Sequence, residues 1–221
     1  MHNTLFLRLE GPLQSWGERA RWDIRDTAPE PTKSGVVGLL GCALGLRDDE
    51  ALRALSQKLH VGVRCDRPGR LITDYHTVTG GIMSGEGKVR PGTIVSHRDY
   101  LSDAAFLVAI QSSDAELLER LVAAIEQPVW PIFLGRKACP PSRPPFAGLG
   151  TYDSLAEALS RQPAASSADG GAPLRLRAVL EAALGLGARR RDELLSRTHR
   201  TFGPRYVQEV LLTVQQEQEE G

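Results

Sequence analysis

The chain has 221 residues, enough for one large domain or two small ones, and 41% of them are hydrophobic, so a packed core is expected. Its 27 basic residues are balanced by 27 acidic ones, which excludes a uniformly basic nucleic-acid binder but not a locally basic groove. No apolar run approaches the ~18 residues of a membrane span, and the N-terminus lacks the basic start of a signal peptide, so we expect a cytoplasmic protein without a membrane partner. The three cysteines form no CxxC, so we expect neither a disulfide framework nor a zinc ribbon.

The first half of the chain alternates between strand and helix patterns. Apolar alternation predicts a strand at 4–9, followed by a long loop rich in glycine, proline and charge. Small and branched residues from Thr32 predict a helix, and DDEALRALSQKL predicts a second one that opens with acidic residues at its positive dipole end. VGVRC (61–65) reads as a short strand.

The next elements complete a recognisable order. Two strand patterns at 70–78 and 93–101 enclose a glycine-rich tip and predict a long β-hairpin. A strand at 104–111, an amphipathic helix at 114–127 and a strand at 129–135 follow, and four prolines make 136–150 irregular. The order predicts an α+β protein with the split βαβ arrangement of ferredoxin-like and RNA-recognition (RRM) folds, with the hairpin inserted between strands two and three.

The remainder of the chain is less regular. A short helix (YDSLAEALSR) precedes a low-complexity, flexible segment at 162–173. PLRLRAVLEA and PRYVQEVLLTV read as strands, and the polar tail is expected to fray. We therefore divide the chain into residues 1–150, with a hairpin at about 70–101, and a smaller β-rich part at 151–221, which is either a degenerate half-domain or an extension of the first.

The hairpin arms carry side chains that suit RNA. Tyr75 and His76 lie on the first arm, and His97, Arg98 and Tyr100 on the second. If the arms pair, His76 and His97 could lie near each other and cleave RNA without a metal, as general acid and base. The same residues could instead stack on bases and hold phosphates, or be ordinary polar residues of exposed strands.

Other nucleotide and metal motifs are weak. GVVGLLGCALG matches neither GxGxxG nor a P-loop, and it reads as a helix packed closely on a sheet. Thr32, Lys33 and Ser34 place two hydroxyls and an ammonium at a helix N-terminus, where phosphate binds well. The histidine spacings predict no metal site, and no cofactor is expected.

Basic residues are unevenly distributed. Only four of the 27 are Lys, so 23 are Arg, a bias that either serves phosphate binding or reflects a GC-rich genome. Arg136, Lys137 and Arg143 stand among aromatic residues on a proline-rich loop, which favours a nucleic-acid groove. Residues 187–206 hold six arginines against two acids, which is either a second basic surface or a solvated face.

Four motifs in order resemble the Cas5 family of RAMP proteins from CRISPR systems, in its subtype I-E branch. They are LRLEGPLQSWG, PTKSGVVGLLGCALGL, the DYHTV arm with SHRDYLSDAAFLVAI, and FLGRKACPPSRP, and they span residues 4 to about 146. Beyond Gly150 the resemblance is weak.

The resemblance implies a ferredoxin-like palm with a hairpin thumb that binds and caps the 5′ handle of CRISPR RNA in the type I-E Cascade complex, an antiviral defence system. Partners would be the backbone subunits and the large subunit, with target DNA met only through the complex. Because a separate nuclease cuts the repeat in type I-E systems, the subunit would be non-catalytic; the type I-C homologue is itself a metal-independent repeat endoribonuclease, and this stays the alternative. The residues it implies for RNA binding are Gln14, Trp16, Thr32, Lys33, Ser34, Tyr75, His76, His97, Arg98, Tyr100, Arg136, Lys137 and Ser142, with Ser15 beside the first two.

Overall fold

The structure, a computed structural model, describes residues 2–17, 24–80, 82–83, 87–90, 92–165, 173–196 and 199–214. Within these ranges four helices and thirteen strands confirm an α+β protein. No helix in the described part of the chain is both long and apolar enough to cross a membrane.

The main sheet has seven antiparallel strands: β1 (Thr4–Glu10), β4 (His60–Arg67), β9 (Ala105–Gln111), β10 (Phe146–Gly150), β11 (Leu174–Ala182), β12 (Ala188–Ser196) and β13 (Thr201–Val214). Their order across the sheet is β10-β1-β9-β4-β11-β13-β12. Because β11 pairs with β4, the C-terminal strands continue the sheet begun by the N-terminal part.

Side chains that alternate along each strand build a core on both faces of this sheet. Leu5, Leu7 and Leu9 of β1 face three helices, α1 (Lys33–Leu44), α2 (Asp49–Gln57) and α3 (Ala115–Glu126). Phe6 faces the opposite side, where α4 (Leu155–Arg161) packs through Leu159. Burying a Leu or Phe side chain stabilises the fold by about 1.5–3 kcal/mol, so the alternation fixes which face each helix covers.

Each helix begins where a short polar side chain caps it. The side chains of Thr32, Asp48, Asp114 and Ser154 accept hydrogen bonds from the backbone N–H groups of the first turns of α1 to α4. Each cap residue has an extended backbone conformation, so the helix cannot extend further toward the N-terminus. The predicted starts of the first three helices agree with the observed ones to within a residue or two, and α4 begins three residues later than predicted, after its cap Ser154.

A second sheet projects the predicted hairpin. Its strands are β2 (Leu13–Gln14), β3 (Ile24–Arg25), β5 (Arg70–Thr79) and β8 (Thr93–Ser102), and the short β6 (Ile82–Met83) and β7 (Val89–Arg90) pair near the tip. β8 pairs with β5 along one edge. Along its other edge it pairs antiparallel with β2 and parallel with β3, which joins the base of the hairpin to the loop after β1.

The fourth strand of the first half lies later than predicted. Residues 129–135 are not a strand, and β10 forms instead at 146–150, after the prolines. Pro131 interrupts the apolar run. The Leu134 carbonyl accepts a hydrogen bond from the N–H of Ser15, and its own N–H donates to the carbonyl of Cys139. Gly135 has φ +86°, and a Cβ there would lie 1.8 Å from the carbonyl oxygen of Ser15, so this turn requires glycine.

The sequence did not predict β12. ARRRDELLS lies between the two strands predicted for this part of the chain and has no apolar alternation of its own, but it forms the edge strand beside β13. The low-complexity segment was predicted to be flexible; its residues 166–172, and the tail from 215 on, lie outside the described residues.

Candidate nucleic-acid interface

The hairpin register sorts the predicted residues onto two faces. Directly opposed residues share a face, and the pairs are Tyr75 with His97 and His76 with Ser96. We call the side with Tyr75 and His97 the first face. The second face holds His76 together with Arg98 and Tyr100, since residues two apart on a strand point the same way.

His76 and His97 therefore lie on opposite faces of the hairpin. The predicted arms pair, but the expectation that this could bring the two imidazoles together is corrected by the register, because neighbouring strand positions alternate in direction. In this arrangement the two rings point away from opposite faces of the hairpin and do not form a common pair. Each has its own neighbour: the ring of Tyr75 meets that of His97 edge to face, with centroids 5.5 Å apart, and Asp74 Oδ2 lies 3.5 Å from His76 Nδ1.

The first face offers rings to solvent. Tyr75 is 64% exposed and His97 is also exposed, although large aromatic side chains usually bury most of their surface. An exposed aromatic pair on a strand is a platform on which unstacked bases can lie.

Gln14 and Trp16 are placed inside the protein. The Gln14 amide donates to the carbonyls of Leu9 (3.0 Å) and Ala104 (2.8 Å), and Trp16 Nε1 donates to Gln14 Oε1 at 3.1 Å. Both side chains are fully buried. Ser15 between them donates its hydroxyl to the carbonyl of Asp99 on β8. This segment fixes the base of the hairpin to the end of β1.

The N-terminus of α1 meets a protein carboxylate. The backbone N–H of Lys33 donates to Asp192 Oδ2 at 3.0 Å, and Thr32 is used as the cap. Lys33 Nζ lies 3.0 Å from Glu181 and 2.8 Å from Glu193, and its side chain is only 4% exposed. Thr32 and Lys33 are thus engaged within the protein, whereas Ser34 is half-buried.

A buried ion network extends from this point. Arg205 makes a two-point contact with Asp192, at 2.8 and 2.7 Å. Burial alone would raise the pKa of the Asp192 carboxyl, but the hydrogen bonds and charge of Arg205 outweigh it, so the pKa lies below its ordinary value. The network connects α1 with β11, β12 and β13, and so joins the two parts of the chain.

Arg136 is also engaged by the protein. Its guanidinium lies over the ring of Tyr100, 4.7 Å from the centroid, and donates to the carbonyls of Arg25, Asp26 and Asp99. Tyr100 is buried beneath it. Two other predicted residues of this loop, Lys137 and Ser142, are exposed.

Sequence reasoning missed Arg25 as a site residue. β3 pairs in parallel with β8 so that Arg25 lies opposite Arg98. Burial lowers the pKa of the Arg25 guanidinium, and the nearby charges of Arg98, Arg136 and Arg200 lower it further. Two residues of strand in a charged loop give no usable pattern, so only the tertiary pairing identifies this cluster.

The described side chains contain no group of three or more His, Cys, Asp or Glu residues placed to hold a metal ion.

Comparison with known proteins identifies the family. The family model for CRISPR-associated protein (Cas_Cas5) matches residues 4–208. The Cascade subunit CasD of Escherichia coli K12 is 38% identical over 160 residues, which cover 67% of this chain and 71% of that protein. A chain in the structure of a CRISPR RNA-guided surveillance complex superposes with a TM-score of 0.79 at 29% identity, covering 96% of this chain and 91% of that chain.

A further solved structure, described as a crystal structure of a Cas protein, gives a TM-score of 0.71 at 41% identity and covers 95% of both chains. The family match extends to residue 208, well past residue 146, near which the sequence motifs end. The resemblance drawn from four motifs is therefore confirmed: the chain belongs to the Cas5 family of CRISPR-associated proteins.

Proposed function

We propose that this protein is the non-catalytic subunit of a type I-E Cascade complex that binds and caps the 5′ handle of CRISPR RNA. The observation that carries the proposal is the exposed hairpin, whose first face presents Tyr75 beside His97 and whose second face carries Arg98 beside His76. Aromatic rings and guanidinium groups on an open surface bind single-stranded RNA by stacking and by phosphate contacts.

The sheet order supports a RAMP-type palm. β1, β4, β9 and β10 lie in the order β10-β1-β9-β4, and helices connect β1 to β4 and β9 to β10. Each connection joins two strands that are separated by one other strand, which is the split βαβ arrangement of ferredoxin-like folds. The hairpin between β4 and β9 would be the thumb, and β11 to β13 an extension of the palm.

Burial divides the predicted residues into two groups with different roles. The exposed or half-buried group would contact RNA directly: Ser34, Tyr75, His76, His97, Arg98, Lys137 and Ser142. Lys33 illustrates the other group, because its ammonium already pairs with two carboxylates and has almost no surface to offer. We assign the buried residues Gln14, Trp16, Thr32, Lys33 and Tyr100 to holding the interface in shape rather than to touching RNA. Half-buried Arg136 joins them because its guanidinium already donates to three backbone carbonyls.

Cascade backbone subunits and the large subunit would be the protein partners, and target DNA would be met only through the assembled complex. The matched surveillance-complex chain supports this assembly role, since the fold is alike over nearly the whole chain. We place the protein in the reducing cytoplasm, where its three unpaired thiols are stable.

A nuclease assay separates the binder from the endoribonuclease. We expect purified protein, incubated with repeat RNA in EDTA, to leave the RNA intact, because the two histidines lie on different faces of the hairpin. Cleavage at one site that is lost in both His76→Ala and His97→Ala would overturn the proposal in favour of the type I-C-like activity.

Affinity for handle RNA tests the binding role itself. We expect log K to fall linearly with log salt, with a slope of about −0.7 for each phosphate contact on a single strand. Tyr75→Ala should weaken binding by about 1–3 kcal/mol through loss of base stacking. Leu211→Ala, which truncates an exposed apolar side chain on β13 of the main sheet, outside the hairpin, is the matched control. A flat salt response would refute RNA binding through this surface.

A further inference from the structure

Three segments far apart in sequence meet on the second face of the hairpin. The parallel pairing of β3 with β8 places Arg25 opposite Arg98, so both side chains leave the sheet on the side of Tyr100. Arg25 is exposed and Arg98 is half-buried, with its Nε donating to Ser96 Oγ at 3.1 Å. The register therefore makes the two arginines cross-strand neighbours at the base of the hairpin, and the charge of Arg98 acts on the Arg25 guanidinium.

Arg136 connects the backbones of the two strands that carry Arg25 and Arg98. Three of its five N–H donors are taken by carbonyl oxygens: Nη1 donates to Asp99 at 3.1 Å, and Nη2 donates to Arg25 at 2.7 Å and Asp26 at 3.2 Å. These bonds connect β8 with the strand that carries Arg25. An Arg136 that turned to a phosphate would have to give up these bonds and its stacking on Tyr100.

Several arginines gather at this place, and the acidic residue opposite Arg98 on the same face is Asp74, whose Oδ2 lies 3.5 Å from His76 Nδ1. The Arg25 guanidinium senses the charges of Arg98, Arg136 and Arg200, the last contributed by the turn between β12 and β13. Bringing several guanidinium groups together costs free energy that an anion between them would offset. Planar forks side by side suit the oxygens of one phosphodiester.

We propose that Arg25 and Arg98 bind one backbone phosphate of the RNA together, and that Arg136 is a positioning residue that sets their geometry. The inference rests on the proposed RNA-binding function and names the atoms that carry part of it. It gives β3 a role that no sequence pattern indicated, and it removes Arg136 from the set of direct contacts.

The test compares full-length variants for binding to single-stranded RNA of the 5′ repeat-derived sequence, over a series of salt concentrations. Arg25→Gln and Arg98→Gln should each weaken binding about tenfold and reduce the salt slope by about 0.7. Arg120→Gln is the matched control, an equal loss of charge at an exposed position on α3. Hydrogen exchange of the RNA-free variants reports on the fold around β3 and β8.

Arg136→Lys distinguishes positioning from direct contact. Lysine keeps the charge but cannot reach three carbonyls in a fixed plane, so we expect faster exchange at 24–26 and 97–100 and an affinity as low as that of Arg136→Gln. Arg25→Gln should add little further loss in the Arg136→Gln background, because the residues act as one unit.

Each contrary outcome has a distinct meaning. If Arg136→Lys binds like wild type with unchanged exchange, or if the Arg25 and Arg136 losses add, Arg136 is a direct phosphate contact and the positioning role is refuted. If wild type binds in a salt-dependent manner while Arg25→Gln and Arg98→Gln are both unchanged, the phosphate pair is refuted and the RNA-binding function stands. If wild type itself does not bind, the proposed function fails, and this inference with it.

Discussion

Lys33→Met removes a buried ammonium while keeping a side chain of similar length. In the folded protein Lys33 Nζ lies within 3.0 Å of carboxylate oxygens from both Glu181 and Glu193, and Arg205 is already committed to Asp192. With Met at position 33, Arg205 is the one cation left among the described residues of this cluster for three carboxylates, those of Glu181, Asp192 and Glu193. The two glutamates then remain largely desolvated without their cation.

The expected loss is large because the pair is buried. Removing one partner of a buried ion pair costs about 3–5 kcal/mol, since it leaves an uncompensated charge in a low-dielectric environment. For a chain of this size each kcal/mol lowers the melting temperature by about 2–4 °C, so the variant should melt about 6–20 °C below wild type. Adding Glu193→Gln should recover part of the loss, because it removes one of the stranded charges.

Differential scanning calorimetry at neutral pH measures this shift. Lys58→Met is the matched control: Lys58 pairs with Asp114 at 2.9 Å, but its side chain is 57% exposed, and exposed pairs contribute little. If Lys33 were instead an RNA contact, Lys33→Met would melt like wild type and would lower only the salt slope of RNA binding. That result would refute the structural role argued for this residue.

Three further predictions concern other buried groups. Because the pKa of Asp192 is held below its ordinary value, its stabilising contribution is complete above about pH 4 and is lost as the pH falls through the pKa of the folded state. Urea unfolding should therefore show the free energies of unfolding of wild type and Asp192→Asn converging in acid. A difference in free energy that stays constant with pH would contradict this. Arg64→Met should destabilise by about 3–5 kcal/mol and expose 159–165 to proteolysis, since Arg64 pairs with Asp66 and donates to one carbonyl of α4 and two that follow it; an uncut segment would be the contrary result. Burial raises the pKa of the Cys65 and Cys139 thiols, so both should react with Ellman's reagent at neutral pH far more slowly in native protein than in urea, and equal rates would contradict their burial.

Local patterns were sufficient for most of the first half of the chain. α2 and α3 follow apolar periodicity and begin at acidic caps, and the arms of the hairpin follow alternation on either side of a glycine-rich tip. These signals arise from interactions between residues that are close in sequence, within a few helical turns or across one hairpin. The faces of the hairpin required the register as well, because a shift of one residue moves every side chain to the other face.

Non-local pairing explains what sequence reasoning missed. β12 reads as a charged connection, yet Arg190 contacts Glu30, Asp192 contacts Arg205 and Glu193 contacts Lys33. Each partner lies at least a dozen residues in the sequence from the β12 residue that it contacts. The residues near β12 therefore give no indication that its charges are neutralised in the folded protein. The same holds for Lys33 and Arg136, which look like ligands for phosphate in sequence and prove to be engaged by the protein.

The central claim is that the exposed hairpin holds the 5′ handle of an uncut RNA. It is tested most directly by photo-crosslinking in a reconstituted Cascade complex, with a photoreactive nucleotide in the handle and mass spectrometry of the joined peptides. We predict crosslinks within 70–79 and 93–102, to intact RNA. Crosslinks confined to α4 and β11, or handle RNA cleaved by this chain, would contradict the account.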